Sequence, residues 1–198
     1  MAESAGPRRQ VVYLTGAPAT GKTTTARILA KRAGARVLSY GALLTERTAV
    51  EGQAELRERS ADVIAAHHVL QLDAEMASMV SGTTGHCIID SHAVTKERWG
   101  FRVVPYDQHT LLQIGVTSIV VLYADEAEIT RRISRDPQGR PLPDGFDLGL
   151  HQSLQMSLAL AYSHSAHVPA YFIRATGSPP LVATRVADAC GIQEMGPL

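Results

Sequence analysis

Gly16-Ala17-Pro18-Ala19-Thr20-Gly21-Lys22-Thr23 fits the G-x-x-x-x-G-K-[ST] phosphate loop at every fixed position. Upstream, Gln10-Val11-Val12-Tyr13-Leu14-Thr15 is a β-branched and aromatic run that predicts a buried strand; downstream, Thr24 to Arg32 predicts a helix. Gly16 and Gly21 permit turns closed to other residues. Consecutive N–H groups can then face an anion at a helix N-terminus, where the macrodipole also favours negative charge. Lys22 is suited to bridge the β- and γ-phosphates of ATP, and the Thr23 hydroxyl to ligate Mg2+, a hard cation that takes oxygen ligands. The nucleotide-binding residues expected here are Gly16, Ala17, Pro18, Ala19, Thr20, Gly21, Lys22, Thr23 and Thr24, with Arg132 further along the chain. A merely capped helix in a Gly/Ala-rich chain would match by chance, but strand and helix flank the match in the required order.

Working outward, 198 residues suit a single domain, 1–198, with one sizeable core. Lys plus Arg and Asp plus Glu are both 19, so there is no general basic field to recruit nucleic acid or an anionic membrane. Cys87 and Cys190 lie far apart without a secretory signal, which predicts reduced thiols with packing roles in a cytoplasmic setting. No apolar run reaches the roughly 18 residues of a membrane span. Met1 to Gln10 lacks an apolar signal core. The expectation is a soluble, cytoplasmic protein.

Gly34 stops the first helix, and Ala35 to Tyr40 reads as a second strand. Ala42 to Ala49 predicts a short helix and Gln53 to Val80 a longer one, with Leu56, Ile64, Val69, Leu72, Met76 and Met79 as buried candidates. His86-Cys87-Ile88-Ile89-Asp90 is a third strand, apolar until its final carboxylate, as in a sheet covered on both faces. Ser91 to Tyr106 reads as an irregular crossing segment anchored by Trp99 and Phe101, followed by a short helix from Asp107 to Ile114. Thr117 to Tyr123 is a continuous strand, and Asp125 is expected to cap a helix to about Ser134. Asp136 to Asp147 carries five Pro or Gly residues and predicts a surface loop, a candidate lid. Leu148 to His167 predicts a helix, Tyr171 to Ile173 a last strand and Leu181 to Ala189 a closing helix. The alternation implies an α/β fold: a parallel sheet of about five strands with helices on both faces.

A phosphate loop says only that a nucleotide is bound, so the reaction is read from its neighbours. Asp90, at the C-terminal end of an apolar strand, is expected to hold Mg2+ with Thr23; a turn or helix cap is the alternative. Phosphoryl transfer needs cations on the migrating group. Arg131, Arg132, Arg135 and Arg140 lie in or just before the Pro/Gly-rich loop, with a solvated helix end as the alternative reading. Lys22, Asp90, Arg132 and Arg140 are the catalytic candidates. Arg57 and Arg59 follow the second strand, where a guanidinium suits an acceptor phosphate. That strand ends Ser39-Tyr40-Gly41 without a carboxylate, and an ionised phosphate acceptor needs no general base; Glu46, nearby, weakens the point. His92 is an acceptor-side candidate at the sheet edge, with a satisfied structural histidine as the favoured alternative. His164 and His167, at i, i+3, lack co-ligands for a metal site.

The order of features resembles the archaeal-type adenylate kinases, within the nucleoside monophosphate kinases. Beyond the phosphate loop, the likeness rests on Ser39-Tyr40-Gly41, on Ile88 to His92 with Lys96 soon after, on Arg131-Arg132, and on the His151-Gln152 and Ala161-Tyr162 pairs. The resemblance implies a compact kinase with Mg-ATP on the phosphate loop, an acceptor-binding segment over about 41–80, a lid over about 136–147, and a monophosphate held near Gly41, Arg57 and the residues after Asp90. It also implies a greater chance of a homo-oligomer. Two departures bear on substrate: Met156 stands where a phosphate-binding arginine is expected, and Trp99 to Tyr106 differs from the expected glycine- and proline-containing acceptor loop. AMP is the first candidate acceptor. A non-nucleotide metabolite is the alternative, and a nucleotide-binding switch or ATPase module the reading from another class, although no N-K-x-D guanine-reading motif is present.

Overall fold

The order of strands puts β1 at the centre. In chain order the elements are β1 (Val11–Gly16), α1 (Lys22–Ala33), β2 (Arg36–Ser39), α2 (Tyr40–Arg47), α3 (Ala66–Ser81), β3 (Cys87–Asp90), β4 (Val94–Glu97), β5 (Gly100–Val103), α4 (Gln108–Ile114), β6 (Ser118–Tyr123), α5 (Glu126–Ile133), α6 (Gly145–Ala166), β7 (Ala170–Arg174) and α7 (Pro179–Cys190). This computed structural model describes residues 8–47, 66–103, 108–135 and 144–193. Five strands pair in the order β2-β3-β1-β6-β7, every pairing parallel, which is the α/β sheet expected from the sequence. The chain leaves β1 toward β2 on one side and later crosses to β6 on the other. The strand order therefore switches beside β1, and the C-terminal ends Gly16, Ser39, Asp90 and Tyr123 border the crevice where such sheets bind ligands.

Alternation along the strands builds two cores. Val12, Leu14, Ile88, Val120 and Leu122 face α1 and α7 through Ala26, Leu29, Val182 and Val186. Val11, Tyr13, Cys87, Ile89, Ile119 and Val121 face α3, α4 and α6 through Leu72, Met76, Leu111, Ala159 and Tyr162. All six residues of β1 are buried because both of its faces are covered. Leu72 and Met76 are buried as expected, whereas Leu56 and Ile64 lie outside the described residues. Cys87 and Cys190 are free and buried, and Cys190 packs with its sulfur 3.4 Å from the Ser118 hydroxyl. No helix among the described residues is long and apolar enough to cross a membrane.

The structure corrects the sequence reading in four places. Residues 94–103 form an antiparallel hairpin, with Val94 opposite Val103 and Glu97 opposite Gly100, where an irregular crossing was expected. Trp99 is no anchor: it sits in the two-residue turn between β4 and β5 and is 67% exposed. The last residues of the expected lid, Gly145 to Asp147, are instead the first turn of α6, because Asp144 caps that helix by accepting from the Phe146 N–H at 2.8 Å. Asp125 occupies the N-cap of α5 but makes no side-chain cap; its carboxylate is taken by Arg174 at the end of β7.

The hairpin is held to α6 by side chains of that helix. His151 Nε2 lies 3.1 Å from the Val94 carbonyl, which can only accept, so Nε2 carries the proton. Phe101 packs edge-on to the same imidazole with centroids 5.1 Å apart. His151 is only 5% exposed. Burial pushes its pKa down to about 4; the Val94 hydrogen bond opposes the shift, while the positive charges of Lys22 and Lys96 add to it. An unfolded histidine titrates near 6.5. Above that pH both states are neutral. Between about 6.5 and 4 only the unfolded chain takes up the proton, so stability falls as pH falls through this window, by on the order of 3 kcal/mol in total. The urea midpoint should therefore drop between pH 7 and pH 4.5 more steeply in the wild type than in His151→Gln; equal slopes would remove His151 as the source.

Candidate active site

The phosphate loop joins β1 to α1 as a cradle of backbone. Gly16 adopts φ 147°, and a Cβ there would lie 2.3 Å from the Leu122 carbonyl oxygen, so the turn requires glycine. Gly21, at φ 95°, is the N-cap of α1 and gives it no side-chain cap, which leaves the first N–H groups of the helix to a ligand. Ala19 is held at φ 60°, a conformation a non-glycine residue keeps only when its surroundings enforce it. The enforcement is visible: Thr20 Oγ1 donates to the Ala17 carbonyl at 2.8 Å, and Arg132 Nη1 donates to the carbonyls of Ala19 and Thr20 at 3.2 and 3.1 Å.

Lys22 is 4% exposed and curls back over the loop, its Nζ donating to the carbonyls of Gly16 and Ala17 at 2.7 and 3.0 Å. Thr23 and Thr24, in the first turn of the helix, are open to solvent. Across the cleft, the Thr23 hydroxyl donates to Asp90 Oδ2 at 2.8 Å. Register places Asp90 beside both Leu14 of β1 and Ser39 of β2. It is 4% exposed, and its Oδ1 is buried with no hydrogen-bond partner among the described residues. A buried carboxylate oxygen without a donor is costly unless a cation completes it. An aspartate paired with a threonine hydroxyl, both hard oxygen donors, fits Mg2+.

The arginines expected near the lid separate. Arg132 is fixed: besides the two loop carbonyls, its Nη2 donates to Ala175 O at 2.6 Å and its Nε to Glu128 at 2.7 Å. It braces the outside of the phosphate loop and does not project from a lid. Arg131 forms a surface pair with Glu128 at 2.7 Å, the solvated helix-end reading. The Arg131 hydrogen bond, opposed by partial desolvation and aided by Arg132, holds the Glu128 carboxyl below its usual range. Arg135 is exposed, and Arg140 lies outside the described residues.

On the acceptor side, Gly41 sits in the first turn of α2, its carbonyl accepting from the Thr45 hydroxyl at 2.8 Å. His92 is exposed next to buried Ser91, whose hydroxyl receives the Tyr13 Oη at 2.9 Å. Arg57 and Arg59 fall outside the described residues, as does the 48–65 part of the expected 41–80 segment. His164 and His167 stack loosely at 6.4 Å, and no metal-binding cluster of His, Cys, Asp or Glu occurs among the described residues.

Two groups escaped the sequence reading. Gln155, 1% exposed, accepts from the Thr15 hydroxyl at 2.8 Å and so ties α6 to the residue preceding Gly16. Its signal was a polar pair with His151 at i, i+4 on a helix face otherwise apolar. Asp73, buried on α3, accepts from Tyr40 Oη at 3.0 Å and from the Thr110 hydroxyl at 3.3 Å, joining α2, α3 and α4. Nothing in the local sequence marked it.

A family model described as an AAA domain matches residues 15–145. Adenylate kinase of Thermoplasma volcanium is 30% identical over 156 residues, covering 76% of this chain and 82% of the relative. Adenylate kinase of Thermoplasma acidophilum is 28% identical over 156 residues, with 76% and 81% covered. Among solved structures, shikimate kinase from Bacteroides thetaiotaomicron superposes with a TM-score of 0.60 at 16% identity, covering 91% of this chain and 97% of its own. A gluconokinase from Sinorhizobium meliloti gives 0.52 at 13% identity, covering 92% and 97%. At those identities the solved structures establish the fold alone. The sequence relatives go further, because a match over three quarters of the chain reaches far past a phosphate loop that many families share. This chain belongs to the archaeal-type adenylate kinase family of P-loop proteins and is an ATP-dependent kinase.

Proposed function

We propose that the chain transfers the γ-phosphoryl group of Mg-ATP to a nucleoside monophosphate, with AMP the first candidate. The observation that carries this reading is the extent of the likeness to proteins named adenylate kinase. A match covering 76% of the chain and 82% of the relative reaches far beyond the phosphate loop. The acceptor chemistry agrees. β2 ends at Ser39, with no carboxylate there to deprotonate an alcohol, whereas a phosphate arrives already ionised.

In the transfer, an oxygen of the acceptor phosphate attacks the γ-phosphorus. The bond to the β–γ bridging oxygen breaks, and ADP leaves with that electron pair. Lys22 would exchange the Gly16 and Ala17 carbonyls for phosphate oxygens, and the uncapped start of α1 would supply N–H donors around Thr23 and Thr24. Thr23 and Asp90 would hold Mg2+, which when bound offsets phosphate charge and orients the chain of phosphates. Arg132 keeps the loop in shape from outside and is proposed to border the nucleotide, with Arg140 as the lid candidate. Gly41, Arg57 and His92 are proposed for the acceptor side.

A second reading, a kinase of a non-nucleotide metabolite, is favoured by one feature. Met156 is half-buried against the core under α6, so this helix brings a thioether where the resemblance expects a guanidinium.

Lys22→Ala should lower ATP-dependent turnover at least about a hundredfold; an unchanged rate would sink the phosphate-loop assignment. Asp90→Asn should shift the Mg2+ dependence to higher concentration, measured as ADP release against added metal. Among nucleoside monophosphates supplied with Mg-ATP, AMP should stimulate ADP release most, with two ADP formed per AMP consumed by product mass. Stimulation by a sugar or other alcohol and by no monophosphate would transfer the assignment to the second reading.

A further inference from the structure

We propose that Lys96, seated on Phe101 and His151, is the cation that holds the phosphate monoester of the acceptor; this rests on the monophosphate reading above. Lys96 and Phe101 are register partners across the β4–β5 hairpin. The ammonium stands 4.7 Å from the Phe101 ring centroid, and that ring in turn packs on His151. Beneath them, the His151 hydrogen bond to the Val94 carbonyl fixes the hairpin against α6. The platform is therefore rigid at its base and charged at its top.

Its position is the second observation. The hairpin that carries Lys96 is tied to α6 through His151, and one turn further along the same helix Gln155 is tied to Thr15, the residue before the phosphate loop, so α6 ties the Lys96 hairpin to the end of β1 that leads into the loop. Nothing positive is contributed by the ring itself, because burial keeps it neutral. Lys22 belongs to the donor phosphates. Lys96, on the strand that follows Asp90, is on the side where the acceptor must approach.

Lys96 is already matched with a surrogate anion. Its Nζ lies 2.8 Å from Asp147 Oδ2 at the start of α6, with both side chains part-exposed at 46% and 31%. Pairs this exposed contribute little to stability and exchange readily for a better ligand. A phosphate dianion brings more charge and more acceptor oxygens than a carboxylate, and a lysine meets it as a compact point charge. Arriving acceptor would take Lys96 from Asp147.

The test uses the full chain, with AMP and ATP each varied. Lys96→Met should raise KM for AMP about tenfold or more while KM for ATP stays within about twofold. Lys96→Arg should recover most of the loss. Asp147→Asn is the deciding variant, since it breaks the same ion pair and spares the ammonium. If Lys96 seats the acceptor, Asp147→Asn leaves KM for AMP unchanged or lowers it. If Lys96 only staples the hairpin to α6, the Lys96→Met and Asp147→Asn variants act alike, and the proposal is overturned. An unchanged KM for AMP in Lys96→Met overturns it too. Should the wild type transfer to no monophosphate, the monophosphate reading falls and this seat with it; transfer that is indifferent to Lys96 defeats the seat alone.

Discussion

A buried ammonium on two backbone carbonyls sets the terms for the rest of the site. Taking the Lys22 charge out of water is costly unless it is well solvated by the protein, and here the carbonyls of Gly16 and Ala17 do that work. They point at the ammonium only because the chain turns at Gly16, in a conformation and at a spacing from Leu122 that exclude any side chain. Arg132 and the Thr20 hydroxyl take further carbonyls of the same loop. With its acceptors committed to cations and a hydroxyl, the loop is left with its N–H groups for a polyanion. The phosphate site is thus built as a surplus of donors, before any nucleotide arrives.

That cradle is rigid because β1 is fixed on every side. Its edges pair with β3 and β6, and its faces are sealed by α1 and α7 on one side and α3, α4 and α6 on the other. Pairing with β3 puts Asp90 within reach of Thr23. Helix α6 then adds a polar strut to this apolar frame. Gln155 holds the end of β1 and His151 holds the hairpin, so one helix face sets the distance between the phosphate loop and the acceptor side. Buried polar contacts of this kind specify geometry because leaving either partner unmatched is costly.

What the sequence made legible follows from which forces act locally. β1, β3 and β6 were readable because strands covered on both faces must be continuously apolar, and the phosphate loop because its function lies in backbone geometry that fixes glycine positions. The hairpin was not readable. Val94-Thr95-Lys96-Glu97 and Gly100-Phe101-Arg102-Val103 are short and carry charges, and pair through α6 residues some fifty positions away. Trp99 reads as an anchor, but a two-residue turn leaves its side chain no core to enter. Asp125 shows the same limit: a good capping residue was claimed by Arg174, a partner only the sheet brings near. Arg132 was noticed as a cation before a lid and proved to be a brace, since its direction depends on where the phosphate loop passes.

The two halves of the reaction are therefore recorded differently in the chain. The donor half is made of backbone and a handful of contiguous residues, so a short motif records it. The acceptor half, as proposed, is made of single side chains drawn from separate elements, and each can change alone. A methionine at position 156 leaves the core under α6 intact and removes only a charge. The fold tolerates such a change, so packing alone does not specify the acceptor. The cation proposed for that role, Lys96, is held over an aromatic ring that packs on a buried histidine, so its place is set by side chains of the hairpin and of α6 together.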